Sequence, residues 1–354
     1  MQIHPGIYLS GYKMRPERNW EMKIRYWKDI LILIIVSLSV ISCAPPNVQS
    51  QEAKPQTEIK QESAAYEIES RHVNIWSDGT RLSGDLWYPK ALKAGDNLPA
   101  VILCHGWGGV RSHLNKAYAP LFAKAGYVVL TFDYRGWADS GSRLVVRGTM
   151  PSPDNNGMVT VRAQAIRELV DPFDQTEDII NCIDFISGEP GVDPKRIGLW
   201  GTSFGGGHVV YVAAHDKRIR CIVSQVPSMD GAWAAFWPDR NAYQRSVQRA
   251  RGEIDPVPQG VNKIGQLKGS AYLSRIAKYR PVEFADQLKI AILIIVAAKE
   301  ELMNNKDHGE KVYNIVKDNV DAKYEVFPGT HFEIYGKGRL DAINQAVEWF
   351  DKYL

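Results

Sequence analysis

The sequence predicts an α/β domain: a mostly parallel central sheet with helices on both faces and a small inserted cap. Short continuous apolar runs recur along the chain, PAVILC at 99–104, YVVLTF at 127–132 and IAILIIVA at 290–297. Segments of helical apolar spacing stand between them, and a glycine-rich strand-to-helix turn lies mid-chain at 201–207. Half-exposed strands alternate apolar and polar residues. Continuous apolar strands separated by helices therefore mean a parallel sheet covered on both faces.

The elements follow in order. Residues 1–42 read as an address: Lys23, Arg25 and Lys28 precede an apolar run over 30–41, broken only by Ser37 and Ser39, and Cys43 follows Val40-Ile41-Ser42. A cationic start, an apolar stretch and a small residue before the cut are the pattern of a secretory signal, and the run falls short of the roughly 20 residues of a membrane span. An uncleaved anchor helix is the alternative. Met22 stands directly before the cationic stretch, and a start there makes residues 1–21 an over-extension. This region resembles a bacterial lipoprotein signal. That resemblance implies that Cys43 is lipidated and becomes the mature N-terminus. Ala44 after it implies the outer membrane of a Gram-negative envelope. Residues 43–65, rich in Pro, Gln and Glu, cannot bury enough apolar surface to fold and read as a tether.

The folded domain is expected over 66–354. Two extended runs in 67–88 flank Ser77-Asp78-Gly79-Thr80, a hairpin signal. Strands are predicted at 99–104, 127–132, 196–200, 219–224, 290–297 and 322–327, and helices at 116–125, 172–186, 205–214, 307–317 and 340–354. Two stretches break the rhythm, an irregular insert at about 142–171 and a Trp-, Arg-, Gln- and Gly-rich one at about 230–280 that reads as a cap. Trp233, Phe236, Trp237 and Tyr243 in the cap are candidates for pocket walls or for packing the cap down.

Composition narrows the function classes. Among 354 residues, 45% are apolar and 36 are aromatic (10 Trp, 16 Tyr, 10 Phe), which excludes wholesale disorder. The net charge of +3 is accounted for by residues 1–42, where Lys13, Arg15, Arg18, Lys23, Arg25 and Lys28 face Glu17, Glu21 and Asp29. The body is neutral, so nucleic acid is not the expected partner. Cys104, Cys182 and Cys221 lie in apolar segments without metal-ligand spacing and read as buried small hydrophobes.

The chemistry-bearing motif is Gly201-Thr202-Ser203-Phe204-Gly205, seated between the strand RIGLW and a helix, with Gly206 and Gly207 behind it. In that context G-x-S-x-G forms a tight elbow that exposes a strained serine. Acyl transfer also needs donors for a developing oxyanion. The Phe204 backbone N–H is one, and the loop His105-Gly106-Trp107-Gly108-Gly109 supplies the second, assigned to the Trp107 N–H. His105 reads as a structural residue of that loop. A base must come late in the chain, and His331, after the last strand, fits. His72 precedes the fold, His208 and His215 lie on the helix behind the elbow, and His113 and His308 read as solvated loop or helix-start residues. The orienting acid should follow the strand 290–297. Glu300 is the first choice, with Glu301 and Asp307 as alternatives.

Taken together, HGWGG (105–109), FDYRG (132–136), VDPKRIGLWGTSFGG (192–206), AAKEEL (297–302) and PGTHFEIY (328–335) resemble the dienelactone-hydrolase, acetyl-xylan-esterase and acyl-peptidase-like branch of the α/β-hydrolases. The resemblance spans nearly all of 66–354. It implies an α/β-hydrolase fold, a Ser203–His331–Glu300 triad cleaving carboxylic esters through an acyl-enzyme, and no metal or organic cofactor. It also implies a structural role for Asp133. The family acid is commonly Asp, so Glu is a departure. The alternatives are a serine peptidase of dipeptidyl or acylaminoacyl type, with Glu168 or Asp171 available to hold a substrate amine, and a non-catalytic lipoprotein that keeps the fold as a binding or envelope-scaffold module.

Overall fold

The computed structural model describes residues 66–236, 241–258 and 264–354; the leader, the tether, Cys43 and the cap residue Trp237 lie outside them. The chain opens with a hairpin of β1 (Ile68–Ser77) and β2 (Thr80–Pro89). Asp78 and Gly79 both have positive φ, 46° and 76°, the backbone of the tight hairpin turn whose twist matches the flanking strands.

Next come β3 (Leu98–Cys104), α1 (Arg111–Ala117), α2 (Ala119–Lys124) and β4 (Val128–Phe132). The single helix expected over 116–125 is thus two, starting earlier and breaking at Tyr118, where φ is −128°. Pro120 is the reason. Its ring and missing N–H are incompatible with a helix interior, but fit the first turn of a new helix.

The first insert carries β5 (Leu144–Val146), β6 (Ala163–Ala165) and β7 (Leu169–Val170). It ends one residue earlier than expected, because Asp171 caps α3 (Pro172–Ser187), its carboxylate accepting the Phe173 N–H at 3.2 Å. Then follow β8 (Val192–Thr202), α4 (Phe204–His215) and β9 (Ile219–Gln225). The second insert holds α5 (Ala242–Ala250), β10 (Ser270–Ala271) and α6 (Leu273–Ile276). β11 (Ala291–Lys299), α7 (Gly309–Val316), β12 (Ala322–Thr330) and α8 (Arg339–Tyr353) complete the described chain.

Eight strands form one sheet in the order β1-β2-β4-β3-β8-β9-β11-β12. β1, β2 and β4 pair antiparallel, and every pair from β4 to β12 is parallel. Consecutive strand residues feed opposite faces. Ile102, Leu130, Leu199, Ile292 and Ile294 pack into one core with α3 and α4. Their neighbours Val101, Leu103, Val129, Trp200, Leu293 and Ile295 pack into another with α2 and α8. Fully burying each such side chain contributes roughly 1.5–3 kcal/mol, so both faces are needed to hold the sheet that aligns the loops. Cys104, Cys182 and Cys221 are free and buried in these cores. The two inserts meet through β7 and β10, Leu169 opposite Ser270 and Val170 opposite Ala271. No helix among the described residues is long and apolar enough to cross a membrane.

Candidate active site

Ser203 joins β8 to α4 with φ 56° and ψ −120°, a conformation that L-residues occupy only when the surroundings impose it. Here they do. The Ser203 N–H donates to the Gln225 carbonyl at 2.9 Å, and the Ser203 carbonyl accepts the Gly206 and Ser228 N–H groups, each at 3.0 Å. Gly205 lies so close to the end of β3 that an added Cβ would stand 2.3 Å from the Cys104 carbonyl oxygen. The turn therefore closes only with glycine at that position.

His331 and Glu300 are brought together by strand register. Lys299 pairs with Thr330, so Glu300 and His331 are the first residues beyond the paired ends of adjacent parallel strands. Between Ala297–Phe327 and Lys299–Thr330 the register shifts, β12 using one residue more than β11. That bulge turns the side chains after it relative to an unbroken ladder. The result is a continuous polar line: His331 Nδ1 lies 2.9 Å from Glu300 Oε2 and His331 Nε2 lies 3.1 Å from Ser203 Oγ. The His331 and Glu300 side chains are only 2% and 3% exposed, so water competes little for these bonds. Glu300 Oε1 also accepts the Leu302 N–H at 3.0 Å.

The alternatives for the acid go elsewhere. Glu301 accepts the backbone N–H of His331 at 2.7 Å, and Asp307 accepts from the Asn304 side chain at 2.9 Å.

The HGWGG loop runs against the elbow. A Cβ on Gly106 would sit 2.8 Å from Ser203 Cβ and 2.9 Å from the Thr202 carbonyl, so Trp107 follows a residue already in contact with the serine. The Trp107 ring tilts on Phe204 at 5.3 Å between centroids, and its Nε1–H donates to the Lys268 carbonyl at 3.1 Å. Phe204 is the first residue of α4, where helix geometry offers its N–H no acceptor.

Three other histidines, His105, His208 and His308, are buried. His105 is buried against Tyr134, and desolvation lowers its pKa to about 4. His208 stands between the Tyr279 hydroxyl at 2.7 Å and Gln175 Oε1 at 3.0 Å, and burial lowers it to about 3. His72 and His113 are exposed. His308 departs from its reading as a solvated residue. It begins α7 but is buried, and its Nδ1 accepts the Met229 N–H at 2.8 Å. The nearest polar neighbours of an isolated His are invisible in one dimension. Asp133 has the structural role expected of it, fully buried and accepting the Arg111 N–H at 2.8 Å.

A part-buried hydroxyl pair next to the serine was not legible in the sequence. The Thr202 Oγ1 lies 2.9 Å from the Tyr335 hydroxyl and accepts from Gln225 Nε2 at 3.1 Å. Tyr335 ends the PGTHFEIY motif, but nothing in its spacing points to Thr202.

The comparisons with known proteins bear on this arrangement. A family model described as the alpha/beta hydrolase fold matches residues 99–261. A solved structure of the protein PA2218 from Pseudomonas aeruginosa is similar over 87% of this chain and all of its own, with a TM-score of 0.63 at 20% identity. The chain adopts the α/β-hydrolase fold. Within that fold, the elbow after β8 and the loops after β11 and β12 are where the three polar residues stand. Among curated relatives, a 31.7 kDa protein of the traX-finO intergenic region of Escherichia coli is 28% identical over 286 residues, covering 72% of this chain and 91% of that one. The thiohydrolase aneE of Aspergillus aculeatus is 31% identical over 197 residues, 54% of each chain.

Proposed function

We propose that this α/β-hydrolase is a serine hydrolase that cleaves carboxylic esters. The observation that carries the reading is the unbroken line Ser203 Oγ–His331 Nε2–His331 Nδ1–Glu300 Oε2 at 3.1 and 2.9 Å. Ser203 Oγ attacks the acyl carbon as His331 Nε2 takes its proton, and Glu300 holds the imidazole and stabilises its cation. The Phe204 and Trp107 N–H groups receive the oxyanion. His331 then protonates the departing alkoxide, and the alcohol leaves. A water, deprotonated by the same nitrogen, attacks the acyl-enzyme. The second tetrahedral species collapses to release the acid and restore the serine hydroxyl. The thiohydrolase name of one relative supports including thioesters, since a thiolate leaves by the same steps.

The peptidase alternative has less behind it. Both carboxylates suggested for amine binding are engaged: Asp171 caps α3 and pairs with Arg275 at 2.6 Å, and Glu168 pairs with Lys268 at 2.7 Å. The binding-module alternative leaves the alignment of Ser203, His331 and Glu300 without a purpose.

The first test needs no guessed substrate. Full-length protein is treated with a fluorophosphonate and analysed by intact mass and peptide mapping. A stoichiometric adduct on Ser203, absent in His331→Ala, is expected. No adduct on folded protein would sink the hydrolase reading in favour of the binding module.

Residues 1–42 are proposed as a lipoprotein signal with lipid on Cys43, which anchors the enzyme in a bacterial outer membrane. Mass spectrometry of the membrane fraction should find a diacylglycerol-modified Cys43, and Cys43→Ser should release the protein. An unmodified Cys43 in a membrane-bound chain would refute this.

A further inference from the structure

The second glutamate of the AAKEEL turn is unassigned by the triad. The loop that carries His331 is held first by itself. Thr330 Oγ1 accepts the Glu333 N–H at 3.3 Å, while Glu333 Oε2 accepts the Thr330 N–H at 3.1 Å. The two residues thus exchange side-chain-to-backbone hydrogen bonds in the manner of a T-x-x-E box, across the two residues that precede the short helical turn Glu333–Tyr335. That exchange ties Thr330 to Glu333 and does not use the amide of His331, which lies between them. Glu301 supplies the acceptor: Oε2 takes the His331 N–H at 2.7 Å from the loop of the neighbouring strand. Consecutive glutamates thus grip one residue at two places, Glu300 on the ring at 2.9 Å and Glu301 on the backbone. The ring contact alone leaves His331 free to pivot about its Cα. The backbone contact removes that freedom.

We infer that Glu301 is a positioning residue, holding the His331 backbone so that Nε2 stays within reach of Ser203 Oγ. The inference rests on the serine-hydrolase reading above. The bond runs between loops rather than into the core, and Glu301 is exposed. Its loss therefore acts on alignment more than on folding.

The test compares Glu301→Ala and Glu301→Gln in the full-length protein, using fluorophosphonate labelling rates at Ser203, kcat and KM on p-nitrophenyl acetate, and the thermal midpoint. Loss of one hydrogen bond to a charged group, felt in the transition state, corresponds to about a tenfold change in rate. Glu301→Ala should lower kcat and the labelling rate about tenfold, with KM and the midpoint nearly unchanged. Glu301→Gln, whose amide oxygen accepts the same bond, should restore most of the rate. Wild-type kcat in the Ala variant, a defect confined to KM, or a Gln variant as slow as Ala would each overturn the assignment. Failure of the wild-type protein itself to label at Ser203 would instead overturn the functional reading beneath it.

Discussion

Replacing Glu300 by Gln isolates the contribution of the acid in the proposed triad, because volume and one acceptor are kept while the charge is lost. The carboxylate lies 2.9 Å from His331 Nδ1, and both side chains are at most 3% exposed. When His331 takes the serine proton, the centres of the two charges stand on the order of 4 Å apart, which at an effective dielectric near 20 is worth about 4 kcal/mol. That is about three orders of magnitude in rate. The amide brings a further cost if its NH2 faces Nδ1, because the imidazole then carries its proton on the nitrogen that should accept one from Ser203. A fall of about 10³ to 10⁴ in kcat for p-nitrophenyl acetate is expected, with KM little changed. Titrating active sites with a fluorophosphonate during long incubations corrects for misfolded protein. Glu301→Gln, measured in parallel, should stay within a few-fold of wild type. A loss below tenfold for Glu300→Gln, or a larger loss for Glu301→Gln, would refute the assignment.

Other consequences follow from the geometry. Ser203→Ala should abolish turnover with little change in thermal midpoint, since alanine suffers the same strain at φ 56°; Ser203→Gly should melt above it by a few degrees, roughly 1 kcal/mol of relieved backbone strain. A large stability loss in Ser203→Ala would mean that the hydroxyl is structural. Gly106→Ala places a Cβ 2.8 Å from Ser203 Cβ, and the displaced loop should cost about 10² in kcat; a wild-type rate would remove Trp107 from the oxyanion site. Burial lowers His208 from 6.5 to about 3, so the neutral imidazole favours the folded state. That contribution is complete above pH 6.5 and is lost as pH falls through the interval toward 3. In urea titrations, the stability gap between wild type and His208→Gln should narrow by about 2 kcal/mol from pH 7.5 to pH 5. A constant gap would mean that His208 titrates normally.

The sequence by itself determined whatever local patterning encodes. Continuous apolar runs specified buried strands, and VDPKRIGLWGTSFGG specified an elbow, because a strand, a tight glycine turn and a helix must follow one another along the chain. The place of His331 after the last strand was legible, and the fold sets its Nε2 3.1 Å from Ser203 Oγ. Patterning did not register Pro120, which splits the helix at Tyr118, because helical spacing continues across it. What only the tertiary structure decided depends on neighbours distant in sequence. Glu300 and Glu301 are chemically equivalent in one dimension. The extra residue of β12 before Thr330 sets which of them meets the His331 ring and which its amide. Likewise His308 is buried through Met229, and Tyr335 reaches Thr202 across 133 positions. Strand register and the packing of loops from different strands fix such pairs, and neither is written in the spacing of residues along a single chain.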